Sequence, residues 1–320
     1  MEFSRRDFLR NTAAIAAVAG VLGTGSIAFA DNGDENCLPV VNVAAQSRDE
    51  LAKRFRAGRS GSLEYCAFNP KRYQLGLRGK LPLVVFLHGE DGKGPNGTQL
   101  LANDGATFYM SDAQLKKNPT FVIAPQCPGN NWTDPETVTA VKKMIDDYVA
   151  SHAVDPDRIY MGGTGVWHMI LTYPYFFAAA IPMCGMVPAQ WYATPGAFAA
   201  IKHQPIWAYH CKDDPVMPES ETAKAVQTMK DNGCGCIKYE GFTAGSMPEP
   251  HKVWERVFSI GTPYNWMFTQ SLTRTQHGAL DPNLMFSQIK LKYGITRIMD
   301  FGMNTLYVMD RGSEALVIDT

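Results

Sequence analysis

The sequence predicts an α/β fold with a mostly parallel sheet, and three observations carry that expectation. Short apolar runs recur along the chain, as the strands of a sheet buried on both faces do; Leu81–Gly89, "LPLVVFLHG", is the clearest. Between these runs lie segments whose apolar residues repeat at helical spacing, such as Glu136–His152. The chain has 320 residues, 45% hydrophobic and 19% charged, which suits one large globular α/β domain with an appendage, or two domains. A formal net charge of −1 argues against nucleic acid or an anionic membrane as the main partner.

From the N-terminus, Arg5-Arg6 with Phe8-Leu9 precede an uncharged, Ala- and Gly-rich apolar stretch that closes on Ala28-Phe29-Ala30, a small-x-small cleavage signal. Residues 1–30 resemble a twin-arginine signal, which implies the Tat machinery as a partner and a periplasmic, cell-envelope or extracellular destination. No other segment has the ~18 uninterrupted apolar residues of a membrane span, so no stable span is expected after cleavage. Residues 31–60 are polar and mixed, and read as a leader.

Strands are then expected at Leu81–Gly89, at Thr120–Gln126 and around Asp155–Met161, followed by Phe176–Gly185 and Gln204–His210. Glu136–His152 reads as a helix, as does Ser220–Gly233 with its glycine just past the end. Buried strands alternating with such helices are the pattern of a parallel sheet covered on both faces. The seven cysteines cannot all pair within the chain, and their pairing is not readable from spacing. Cys234-Gly-Cys236 is too tight for a usual zinc knuckle, and no second pair accompanies it.

Six pieces in order carry a resemblance: "PLVVFLHGEDGKG", "FVIAPQCPGNNW", "VDPDRIY", "GVWHMILTYPYFFAAAIPMCG", "PIWAYHCKDDPVMP" and "PHKVWERVF". From about Leu63 to Gln270 the chain resembles the α/β-hydrolases of the phospholipase/carboxylesterase and feruloyl-esterase (polyhydroxybutyrate-depolymerase-like) type. The resemblance implies a three-layer sandwich over residues 61–272, an acyl, feruloyl or polyester ester substrate, and no cofactor or metal. It implies a triad in which a serine attacks, a histidine takes its proton and an acid orients the imidazole. "HCKDDPVMP" matches the acid segment at Asp214, with Asp213 its neighbour, and "PEPHKVWERVF" supplies His251. An oxyanion-hole N–H is expected around His88-Gly89-Glu90, with Trp132 lining the cleft.

The nucleophile is where the sequence departs from the pattern. No Gly-x-Ser-x-Gly with a preceding strand occurs, and "RIYMGGTGVW" is about five residues shorter than the family stretch, roughly 16 Å of extended chain. Aligned on its later half, Tyr160 falls at the nucleophile position and Met161 supplies the second oxyanion N–H; Thr164 is the replacement hydroxyl nearest the turn. The central strand must then be shortened or borrow from the loop at Ala153–Asp157, and impaired catalysis is expected.

Residues 273–320 read as a β-meander of three strands, with turns at Phe301–Asn304 and Asp310–Ser313. They resemble the opening of a metallo-β-lactamase-fold domain, without that fold's H-x-H-x-D-H metal motif. Two alternatives accompany the ester-hydrolase reading: a non-catalytic ligand-binding pseudoenzyme, and a piece of a bifunctional protein whose activity lies in a metallo-hydrolase domain.

Overall fold

The computed structural model describes residues 46–74, 76–129 and 131–272, together with the backbone of four short strands between 287 and 319. The signal segment 1–30, the first part of the leader, Cys37 and most of the expected tail turns lie outside the described residues.

The order of elements bearing on the site is α1 (Arg48–Ala52), β1 (Arg56–Ser60), β2 (Leu63–Phe68), β3 (Leu81–Leu87), β4 (Phe121–Pro125), α2 (Pro135–Ser151), β5 (Val154–Gly163), α3 (Val166–Thr172), β6 (Ala179–Pro182), β7 (Ile206–Cys211), α4 (Glu219–Asp231), β8 (Ile237–Phe242) and α5 (Val253–Ile260). The eight strands form one sheet in the order β1-β2-β4-β3-β5-β6-β7-β8. From β4 through β8 all neighbours run parallel, and β1 and β2 join antiparallel at one edge.

Strand β3 shows why the apolar runs read as strands. Every residue of it is buried, and its side chains alternate between two cores. Leu83, Val85 and Leu87 pack with Val138, Val141 and Ile145 of α2, while Val84 and Phe86 pack with Val257 and Phe258 of α5. Each fully buried Leu, Val or Phe contributes roughly 1.5–3 kcal/mol, so a run with no polar face is stable only between two helical layers.

The leader reading does not hold for its described part. Gln46–Ser60 contains α1, closed by a Ser47/Glu50 capping box, and the edge strand β1. Strand β1 reads Arg-Ala-Gly-Arg-Ser and shows most of its residues to solvent, so it has no apolar run to announce it. A two-residue turn, with Gly61 at φ +58°, returns the chain to β2.

Strand β5 is not shortened. It runs from Val154 to Gly163 and borrows from the expected loop: its pairing with β3 jumps from Leu81↔Val154 to Leu83↔Ile159, so the extra residues bulge at the strand's start. Strand β6 is shorter than expected: beyond Pro182 only an isolated bridge of Met183 with Tyr209 and a bond from the Cys184 N–H to the Tyr209 carbonyl at 3.0 Å remain.

Among the described residues the tail has four strands, each antiparallel to its neighbours. Ile295–Met299 (β10), Thr305–Asp310 (β11) and Ala315–Asp319 (β12) are the expected three, and Ser287–Lys290 (β9) adds a fourth.

Candidate active site

The parallel strands end on one side in a set of turns that carry the chemistry-bearing residues. Strand β5 ends at Gly163 and α3 begins at Val166, so Thr164 and Gly165 make the whole turn between them. Thr164 is exposed there between buried neighbours. Gly163 has φ +105°, and a Cβ on it would lie 1.9 Å from the Leu87 carbonyl oxygen. A Cβ on Gly165 would lie 2.5 Å from Trp132 Cβ. Glycine on both sides therefore lets the chain reverse in two residues with one side chain standing out, the arrangement of a nucleophile elbow.

This corrects two sequence expectations. Tyr160, aligned with the nucleophile, is fully buried inside β5, and its hydroxyl donates to the Gln270 carbonyl at 2.9 Å. Met161 is fully buried in mid-strand, paired with Val85 and Ala180, and cannot offer an oxyanion N–H. Because the strand runs on to Gly163, the residue after the turn's hydroxyl is Gly165. Among the described residues, the backbone N–H groups of Gly165, Gly89 and Glu90 have no hydrogen-bond partner. The Thr164 hydroxyl faces the same turn, 3.6 Å from where a Gly89 Cβ would sit.

Asp214 lies in the turn after β7, and its carboxylate is fully engaged. Oδ1 accepts the backbone N–H groups of Val216 and Met217 at 2.8 and 3.0 Å. Oδ2 lies 2.8 Å from His251 Nδ1 and 3.1 Å from His210 Nε2. Burial would raise this carboxyl's pKa, but hydrogen bonds from Met217, His251 and Val216 outweigh it and hold the group below its usual value. Asp213 faces elsewhere, accepting from Cys211 Sγ and from the Gly245 N–H. His251 comes from the turn before α5 with its side chain one-third exposed. Its Nδ1 bond to Asp214 leaves Nε2 as the free face, and among the described residues neither Nε2 nor Thr164 Oγ1 makes a hydrogen bond.

His210, the second imidazole on Asp214, carries no assigned role in the sequence reading. It is fully buried; Nε2 also meets the Met217 carbonyl at 3.0 Å, and Nδ1 meets Thr222 Oγ1 at 2.8 Å. Thr222, on α4, donates to the Gly185 carbonyl at 2.8 Å. The acid is thus held from β7, α4 and the turn after β6 at once. The only sign of this in the sequence is the His four positions before Asp214. Cys184, His210 and Asp214 lie close enough to suggest a metal, but each is already spent: Cys184 Sγ donates to the His251 carbonyl at 3.2 Å and the other two are bonded as above.

His88 is a brace rather than a reactive group. It is buried, Nε2 accepts the Cys127 N–H at 3.1 Å, and Nδ1 therefore donates to the Gly89 carbonyl at 2.6 Å. Burial holds its pKa below the ordinary histidine value, so the ring stays neutral. Trp132 is buried against it, donating from Nε1 to the His88 carbonyl at 2.8 Å. Glu90 is exposed, and its carboxylate pairs with Lys93.

A cavity of about 310 Å³ opens beside the elbow, lined among others by Gly89, Trp132, Thr164, His168, Met186 and Met217. That is room for a small organic ligand. His168 accepts Trp191 Nε1 at 2.8 Å, which fixes the imidazole on the cavity wall.

No model of a protein family matches the chain. The chain is similar to Poly(3-hydroxyalkanoate) depolymerase C of Paucimonas lemoignei, 31% identical over 134 residues, which is 36% of this chain and 30% of that protein. Among solved structures it is similar to a thermostable esterase, at 30% identity and a TM-score of 0.62, covering 69% of this chain and 64% of that one. The fold is an esterase-like α/β-hydrolase fold. The chain spans less than a third of the depolymerase's length and just under two-thirds of the esterase's.

Proposed function

We propose that the protein is a carboxylic-ester hydrolase of acyl or polyester esters in which Thr164 takes the place of the serine, with low turnover. The observation that carries this reading is the exposed Thr164 between Gly163 and Gly165, on the cavity wall and facing the Gly89 turn. The His251–Asp214 bond at 2.8 Å supports it.

In the reaction, Thr164 Oγ attacks the ester carbonyl carbon and its proton passes to His251 Nε2. The carbonyl oxygen becomes an oxyanion facing the N–H groups of Gly165 and of Gly89 or Glu90. Collapse breaks the ester C–O bond, and the leaving alcohol takes the proton from His251. Water, deprotonated by His251, then attacks the acyl-threonine; the bond from the acyl carbon to Thr164 Oγ breaks, Oγ takes the proton back from His251, and the acid is freed. Asp214 accepts from Nδ1 throughout and steadies the imidazolium. Two features support slow turnover: the Thr164 γ-methyl crowds the attacked carbon, and the hydroxyl–imidazole bond must form with substrate. The arginine pair at 5–6 and the Ala28-Phe29-Ala30 end support export by the Tat route. The end of the chain, Ile318-Asp319-Thr320, supports a metallo-β-lactamase-like reading of the tail.

The test is hydrolysis of short-chain p-nitrophenyl esters by the full chain and by Thr164→Ser and Thr164→Ala. The serine variant is expected to gain about tenfold or more and the alanine variant to fall to the buffer rate. Equal rates for the three would remove Thr164 from the chemistry. Binding of an ester analogue without turnover in every variant would favour the pseudoenzyme reading.

A further inference from the structure

Cys234 and Cys236 lie beside the start of β7, the end away from Asp214, and their sulfur atoms are 3.4 Å apart. Two unrelated backbone elements hold them there. Cys234 closes α4: its N–H bonds the Met229 carbonyl at 3.0 Å and the Gly233 N–H bonds Lys230 at 2.9 Å, with Gly233 at φ +82°, a Schellman cap. Cys236 leads into β8, and its carbonyl accepts the Ile206 N–H from the start of β7. Gly235 between them has open space around it, so the short link can adjust as the sulfurs close. Cys234 is buried and Cys236 half-buried, which leaves a path for a small reagent.

The geometry points to Cys234–Cys236 as a reversible dithiol–disulfide site that exchanges with low-molecular-weight disulfides of the glutathione type. One thiolate of the pair, its charge held by the S–H of the other, attacks a sulfur of the reagent. The reagent's S–S bond breaks, one glutathione thiolate leaves and takes a proton, and a mixed disulfide remains. The second cysteine, losing its proton, attacks the protein sulfur of that mixed disulfide and expels the second glutathione thiol. The pair gives up two electrons and two protons, and one glutathione disulfide is reduced to two thiols. Ring closure across a single intervening residue removes little chain entropy from the unfolded state, so the bond is easily opened again.

The other described thiols are not set up this way. Cys66 and Cys211 donate to carboxamide or carboxylate oxygens and Cys184 to a carbonyl, and none of them has a sulfur–sulfur hydrogen bond among the described residues; Cys236 also donates to the Gln204 carbonyl at 3.1 Å but has the Cys234 sulfur beside it. Burial pushes Cys66 up to about 11 and raises Cys127, whereas the bond from Cys236 lowers the Cys234 thiol below its ordinary value.

The experiment equilibrates the full chain in reduced and oxidised glutathione at a series of ratios, blocks free thiols with iodoacetamide, and digests with trypsin. The peptide Asp231–Lys238 contains both cysteines and no others. It is expected to lose the mass of two hydrogens and take no alkyl group. Closure should occur at ratios at least about tenfold more reducing than for the chain in urea, because the fold holds the sulfurs together, and dithiothreitol should reverse it. Cys236→Ser, which keeps a hydroxyl beside the attacking sulfur, should trap a single glutathione on Cys234. Two alkyl groups at every ratio, a glutathione adduct that never closes in the unaltered chain, or the same midpoint with and without urea would each overturn the proposal.

Discussion

Replacing Gly163 with alanine tests how the elbow is held. The new Cβ would lie 1.9 Å from the Leu87 carbonyl oxygen, about 1.5 Å inside the 3.4 Å at which ordinary contact begins. The oxygen cannot give way freely, because it accepts the Thr164 N–H at 3.1 Å and belongs to the buried end of β3. Three contributions follow: roughly 1–2 kcal/mol for a side chain at φ +105°, about 1 for the lost hydrogen bond, and about 1–3 for the displaced backbone. The expected loss is about 3–6 kcal/mol. Gly61→Ala is the control, with φ +58° and nothing within 4 Å of the new atom, so only the conformational part applies, roughly 1–2 kcal/mol. Urea unfolding followed by tryptophan fluorescence reads both, since Trp132 and Trp167 flank the turn. The midpoint for Gly163→Ala should fall by more than about 1 M. Losses within about 1 kcal/mol of each other for the two variants would refute the contact argument.

Asp214→Asn keeps one oxygen for four donors that now share a carboxylate, and ester hydrolysis at neutral pH should drop about 10³- to 10⁴-fold; a loss under about tenfold would mean that the acid does not orient His251. Burial lowers the pKa of both His88 and His168, each a neutral ring accepting one N–H. The unfolded chain binds these protons below about pH 6.5 while the folded chain resists them, so stability is full above that pH and is lost as the pH falls through the lowered values. The slope is at most about 1.4 kcal/mol per pH unit for each ring. Urea midpoints between pH 7.5 and 5 check the sign, and a flat profile would contradict it. Tyr160→Phe removes the hydroxyl's bond to Gln270 and should cost about 1–2 kcal/mol by the same unfolding assay with hydrolysis unchanged; a fall in hydrolysis alone would return Tyr160 to the site.

What could be read from the sequence was whatever one segment announces by itself. Strands β3 and β4 are legible because both faces are apolar, so burial leaves its mark on every residue. Strand β1 is silent because an edge strand with one face in water can be built of arginine, alanine and glycine. Asp214 and His251 stand out through their flanking residues, and the structure joins them by a hydrogen bond across 37 positions. The elbow was misplaced because gap position cannot be chosen by alignment alone: the contact of Gly163 with Leu87, two strands joined only in the fold, decides that the turn falls at Thr164. His210 was missed for the same reason, since its partners come from α4 and from the turn at Gly185.

The two rims of the sheet decide what this protein does in crowded company. A rim strand offers unpaired N–H and C=O groups to any passing chain, and polymerisation follows when it is flat and apolar. Here β1 ends the sheet with exposed Arg56 and Arg59, and the ring of Tyr65 fills the space over Gly58, where a Cβ would meet it at 2.4 Å. At the opposite rim, β8 shows Lys238 and Glu240 to solvent, and the Lys238 ammonium lies over the rings of Trp207 and Trp266. A second copy docking edge to edge would have to strip water from these charges at either end. The sheet is closed to further growth without being a barrel, so the molecule can be concentrated without its copies adding strand to strand.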